Sequence, residues 1–199
     1  MSGRSWLTTP WYRLEHIYIT TDDISQIFEY KHSGRNWTGY EALSRSGIDV
    51  VFENFMDGST VITSHSGWKW TDIIHDLGMR FSDFAHQEML FKAETYKDLL
   101  RAKPEGKIAV VATLEAATQI ENEIDRVDVL YGFGVRSMGI TYSESNGLGS
   151  GLKEARDGGL TKFGRKVVKR MNVLGMTIDV SHSGDRTSLD TIECSEKPI

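Results

Sequence analysis

The chain has 199 residues, of which 39% are hydrophobic and 26% charged, and it carries a net charge of −5 at pH 7. That balance is ordinary for a folded globular protein and argues against a disordered one. No basic stripe with interleaved aromatics appears, so nucleic acid is not an expected partner, and no apolar run approaches membrane-spanning length.

The opening stretch MSGRSWLTTPWYRLEH has no apolar core of signal-peptide length, and the chain has one cysteine, Cys194. Both features suit a protein of the reducing cytoplasm without an internal disulfide. Cys194 reads as a small packing residue near a helix end. Residues 1–46 are rich in aromatics without clean periodicity and are expected to form an irregular segment with a short helix near 23–30. Residues 47–199 are expected to form one domain.

Within that domain the first strand is expected at 48–53 (IDVVFE), followed by a loop of Ser, Thr and Gly over 57–67. From 68 to about 100 the apolar residues Trp70, Ile73, Ile74, Leu77, Phe81, Phe84, Ala85 and Met89 fall at helical spacing. Thr71 is a candidate start, Gly78 a candidate break, and Pro104 with Gly106 the stop. A regular alternation follows: strand 107–113, helix 119–133, strand 136–141, a glycine-rich loop over 142–159, helix 162–174, strand 176–181 and helix 185–195, with Pro198 opening a further strand. Short, nearly all-apolar strands separated by helices are those of a parallel sheet buried on both faces.

The fold class is therefore α/β. No GxGxxG follows a strand, which weakens an open nucleotide-binding sheet. Polar residues gather instead just past the strand ends: Glu115, then Tyr142 and Ser143, then His182. That is where a barrel enzyme places its site, so the expected architecture is a partial (β/α)8 TIM barrel, since a complete one needs about 250 residues. Read from the residues alone, a glutamate opening a helix is more often a dipole partner, and a histidine at a strand end is more often simply hydrogen-bonded. His75 and His86 lie about 16 Å apart along a helix and cannot share a metal. They and His65, in a polar loop, are assigned to surface or packing roles.

Three blocks change those odds. They are Ala112-Thr113-Leu114-Glu115-Ala116, Tyr131-Gly132-Phe133-Gly134-Val135-Arg136 running through Thr141-Tyr142-Ser143, and the segment GGLTKFGRKVVKRMNVLGMTIDVSHSGDRT from Gly158 to Thr187. Together they resemble the membrane (renal) dipeptidase family, the zinc-dependent peptidases of family M19, over roughly 47–199. The resemblance implies a (β/α)8 barrel holding two zinc ions bridged by a glutamate, and a metal-bound hydroxide that hydrolyses the peptide bond of dipeptides, including some with a D-configured C-terminal residue. It assigns the bridging metal ligand to Glu115. It makes His182 the catalytic and substrate-binding histidine that stabilises the oxyanion. Asp179, by strand alternation, is expected to face away from His182 and to be structural.

The family's other metal ligands are a His-x-Asp pair on the first strand and two histidines on later strands. The early candidates here read His16-Ile17-Tyr18, Thr21-Asp22-Asp23 and His32-Ser33-Gly34, none of them His-x-Asp. The expectation is thus the N-terminal portion of a zinc-dependent dipeptidase, catalytically incomplete as this chain, with a dipeptide as substrate. The alternative is a non-catalytic half-barrel that binds a partner or associates with a second copy into a homo-oligomer, covering its open strand edges. A different metal-dependent amidohydrolase on the same barrel is a third reading.

Overall fold

The computed structural model describes Leu43 and residues 46–55, 69–86 and 88–199. The short helix expected near 23–30, the loop containing His65, and His16 and His32 lie outside the described residues.

The described chain alternates strand and helix: β1 (Val50–Phe55), α1 (Trp70–Ala85), β2 (Leu90–Lys92), α2 (Tyr96–Glu105), β3 (Ile108–Leu114), a 3-10 turn (Ala117–Ile120), α3 (Asp125–Phe133), β4 (Val135–Gly139), α4 (Lys162–Leu174), β5 (Thr177–Asp179) and α5 (Asp185–Cys194). Every strand pairing is parallel. The hub is β3, whose sequence IAVVATL is buried at every position. A strand apolar on both faces can only sit inside a sheet covered on both sides. β1 runs along one edge of it, from Val50 opposite Ala109 to Phe55 opposite Leu114. The other edge is shared: β2 pairs with Ile108 to Val110, and β4 with Ala112 to Leu114. β5 then extends the sheet from β4. The result is α/β with a parallel sheet, part of a barrel, as the alternating pattern implies.

The two faces of β3 meet different helices. Ile108 and Val110 pack with Phe84 of α1, whereas Ala109 and Val111 pack with Ala102 of α2. The larger core joins Phe55, Ile73, Leu77, Leu114, Met138, Met171 and Ile178, so α1 and α4 press on the face opposite the one that carries Thr113. α2 thereby floors the Thr113 face at its N-terminal end and leaves the C-terminal end to the loops.

The helices expected over 68–100 and 119–133 need correction. The helical pattern over 68–100 is interrupted: α1 stops at Ala85, β2 follows, and α2 starts afresh at Tyr96. The signal for that restart is Thr95-x-x-Asp98, a capping box in which the Thr95 side chain accepts from Asp98 N and Asp98 accepts from Thr95 N. Gly78 does not break α1, which is continuous for 16 residues. Pro104 lies inside α2, and the stop is Gly106, at φ 61°. The helix expected over 119–133 also divides, because Glu121 takes φ 54° and ends the 3-10 turn before α3 begins.

Beneath β1 the core contains an ion pair. Arg80 Nε lies 2.5 Å from Glu53 Oε1, and the two side chains are 2% and 7% exposed. Desolvating both charges consumes much of their attraction, and removing one of them deletes the attraction that offsets the burial of the other. Arg80→Ala is expected to lower the unfolding free energy by about 3–5 kcal/mol in urea denaturation, and the Arg80→Leu/Glu53→Leu double variant to recover much of that loss.

Candidate active site at the strand ends

Glu115 is the first residue beyond β3, and its N–H continues the ladder toward Phe55 O at 3.4 Å. Its place is set by how closely β4 passes. A Cβ built on Gly139 would lie 2.0 Å from Glu115 O, so only glycine lets the two backbones meet there. Just upstream, the β3–β4 register shifts between Ala112 and Thr113, which leaves Arg136 as an extra residue. The Arg136 guanidinium donates to Glu94 O (2.9 Å), Glu94 Oε2 (2.7 Å) and Tyr131 O (2.9 Å), anchoring the bulge below the site.

His182 follows β5 by a turn. The strand is only three residues long, and Ser183 N donates to Val180 O across the reversal. His182 itself takes φ 61°, a left-handed backbone that costs a residue with a Cβ about 1–2 kcal/mol. The turn brings the imidazole back over the sheet, with Nε2 3.7 Å from Glu115 Oε1. Asp179 stands at the end of β5, opposite Gly139, and its charge acts on the Glu115 carboxylate. Its Oδ1 also accepts from Ser181 N at 2.7 Å, which shapes the turn.

The electrostatics follow from this grouping. Burial pushes the Glu115 carboxyl above its ordinary range, the His182 imidazole pulls it back, and Asp179 pushes it up again. The Glu115 side chain is 16% exposed and that of His182 38%, so the imidazole faces the open end while the carboxylate sits deeper. The Tyr142 ring lies on the imidazole with centroids 4.2 Å apart.

The glycine-rich β4–α4 loop is fastened to the same place. Gly184 stands at the N-cap of α5 and has no side chain to cap the helix. Asp157 supplies the cap from the loop: Oδ2 accepts from Thr187 N (3.0 Å) and Oδ1 from Thr187 Oγ1 (2.8 Å). Burial alone would raise the Asp157 carboxyl, but bonds from Gly159, Thr187 and Arg186 hold it below its usual range. A Cβ at Gly184 would lie 2.3 Å from Asp157 Oδ2 and expel this cap. Asp157 stands in a loop with no helical periodicity, so only the fold shows that it caps a helix 30 residues later.

Both residues singled out from the sequence, Glu115 and His182, are therefore brought together. The other described histidines are not. His75 and His86 are exposed, and His86 Nδ1 sits 2.6 Å from Ser82 O at the end of α1. Among the described residues no group of three or more His, Cys, Asp or Glu side chains could hold a metal ion. Glu115, Asp179 and His182 offer charge and donor atoms but not a closed ligand set, so the described residues do not by themselves fit a two-zinc centre. Among those residues no helix is long and apolar enough to cross a membrane.

A parallel α/β barrel segment with its ionisable groups gathered at the strand C-termini has the layout of a barrel enzyme's site. Comparison with known proteins narrows the class. Residues 76–199 match the model of the membrane dipeptidases, peptidase family M19. Dipeptidase verJ of Clonostachys rogersoniana is 32% identical over 192 residues, covering 92% of this chain and 46% of its own length. An amidohydrolase structure from Pseudomonas aeruginosa superposes with a TM-score of 0.71 at 25% identity, over 82% of this chain and 48% of that one. A metallo peptidase from Rhodobacter sphaeroides, liganded with a phosphinate mimic of the dipeptide L-Ala-D-Ala, shares the fold at a TM-score of 0.56 and 24% identity, over 64% of this chain and 38% of its own. The chain belongs to peptidase family M19. It spans less than half the length of these relatives.

The raised Glu115 carboxyl has a consequence for stability. A glutamate whose folded pKa exceeds its unfolded value, about 4.3, stabilises the fold below that value and ceases to as pH rises through the folded pKa. In chelator-treated protein, Glu115→Gln is therefore expected to match the wild type near pH 4 and to melt increasingly above it toward pH 8. Thermal unfolding across that range checks this, and a difference independent of pH would count against it.

Proposed function

We propose that this chain supplies the Glu115 and His182 side of a zinc-dependent dipeptidase, an enzyme that hydrolyses the peptide bond of dipeptides. The observation that carries the reading is the 3.7 Å approach of His182 Nε2 to Glu115 Oε1 at the strand C-termini, in a chain of a dipeptidase family. In this reading Glu115 is a zinc ligand, and the remaining ligands come from parts of the protein other than the described residues. No reaction step follows for the metal from the residues in hand.

For the chain's own groups the geometry is more specific. The His182 imidazole is partly exposed above a more buried carboxylate, so a carbonyl oxygen arriving from the open end meets a nitrogen donor first. A donor held there before the reaction stabilises negative charge as it develops on that oxygen, at no reorganisation cost during the step. The substrate class is dipeptides, including those ending in a D-residue; the fold shared with a protein that holds an L-Ala-D-Ala mimic supports it.

A second reading, a non-catalytic module of the same fold, draws on the lack of a three-ligand cluster among the described residues. One assay separates the two. The full-length protein supplied with zinc is expected to cleave L-Ala-D-Ala, and His182→Ala to lower kcat by about 10²–10³. A wild-type protein that leaves dipeptides intact while holding zinc would contradict the enzyme reading.

A further inference from the structure

The short 3-10 turn that follows Glu115 is built against the preferences of its own residues. Its N-cap is Ala116, which has no side chain to satisfy the free N–H groups. It ends at Glu121, whose φ of 54° and ψ of −124° lie outside both the right-handed and the left-handed helical wells. Between them Gln119 is 0% exposed, and neither its Oε1 nor its Nε2 finds a hydrogen-bond partner among the described residues. A side-chain amide carries an acceptor oxygen and two N–H donors, so burying it unpaired opposes the closed turn. The contacts that hold the turn shut come from outside it. The Arg126 guanidinium, in the first turn of α3, donates to Glu121 Oε2 (2.6 Å) and at longer range to Gln119 O (3.5 Å) and Ile120 O (3.4 Å). It stands 5.0 Å from the ring centroid of Trp70, the first residue of α1. A second tie comes from Asn146 in the β4–α4 loop, whose Nδ2 donates to Thr118 Oγ1 (3.3 Å) and to Ile140 O (2.8 Å). The turn thus joins α1, α3 and the loop beside the candidate site.

We propose that residues 117–121 form a latch with Arg126 as its catch: the turn opens as a unit, without global unfolding, exposing Gln119 and releasing Asn146 from Thr118. Opening loosens the start of the β4–α4 loop, at the rim of the candidate site. Neither the latch nor its test depends on which reaction the site performs.

Amide hydrogen exchange in the full-length protein tests this, because a local opening exposes its own N–H groups while the rest of the fold stays protected. The reporters are the Glu121 N–H, bonded to Thr118 O, and the Glu123 N–H, bonded to Ile120 O. The Ala109 N–H, bonded to Asp49 O in the sheet, reports global unfolding. In the wild type the two reporters are expected to be about tenfold or more less protected than Ala109, with a weaker dependence on urea. Arg126→Ala is expected to speed them further, on the order of tenfold, while Ala109 stays within about twofold. Gln119→Met is expected to slow them, because an apolar side chain of similar shape removes the unpaired amide from the closed state. That sign separates a latch from an ordinary structural turn, in which replacing a buried residue speeds exchange. Reporters as protected as Ala109 at every urea concentration overturn the proposal, and so does a Gln119→Met protein whose reporters exchange faster than the wild type. A folded Arg126→Ala protein with unmoved reporters overturns it as well. If Arg126→Ala does not fold, the urea dependence of the wild type and the sign of Gln119→Met decide.

Discussion

The contact on which the site depends is the crossing of two backbones, Gly139 at the end of β4 and Glu115 just past β3. A Cβ at Gly139 would lie 2.0 Å from Glu115 O, closer than any packing adjustment of a side chain could relieve. Because glycine stands there, β4 closes on β3 at its C-terminal end even though the register slips by one residue at Arg136. β5 pairs with β4, Gly139 standing opposite Asp179. Glu115, Asp179 and, one turn later, His182 thus take their mutual distances from a single tight crossing, which converts sheet geometry into a cluster of ionisable groups.

A second constraint acts from above. The β4–α4 loop is rich in glycine and would be costly to order without specific bonds. It is tied down by Asp157, which caps α5 in place of the side chain that Gly184 lacks, a type of contact worth about 1 kcal/mol. Thr187 Oγ1 adds to this by accepting from Ser150 N at 3.0 Å while donating to Asp157. The helix that follows His182 and the loop that packs on His182 are consequently one unit. Energy that orders the loop also holds the histidine in its left-handed turn.

Much of this was legible in the sequence where the signals were local. α4 runs from Lys162 to Leu174, as its periodicity indicates, because Thr161 caps it by accepting from Gly164 N and Gly175 ends it at φ 74°. Glu115 and His182 could be placed near each other because parallel strands put their C-termini on one side. What misled was reading periodicity across boundaries. The apolar spacing from Trp70 to Met89 ran on past the end of α1, while the Thr95–Asp98 capping box was the better local sign. The strand expected over 176–181 ends at Asp179, so strand alternation does not extend to His182. Asp157 was invisible for a different reason, since its partner at Thr187 is remote in sequence and only the fold joins them. The full metal ligand set was not legible either, as the described residues contain no cluster that would announce it.

The central claim is that Glu115 is a ligand of the metal on which this family's hydrolysis depends. It is tested most directly by anomalous diffraction at the zinc absorption edge from crystals of the full-length protein grown with zinc. The account predicts a zinc peak about 2.0–2.2 Å from a Glu115 carboxylate oxygen. A protein whose zinc lies elsewhere, with Glu115 facing only His182 and Asp179, would contradict it.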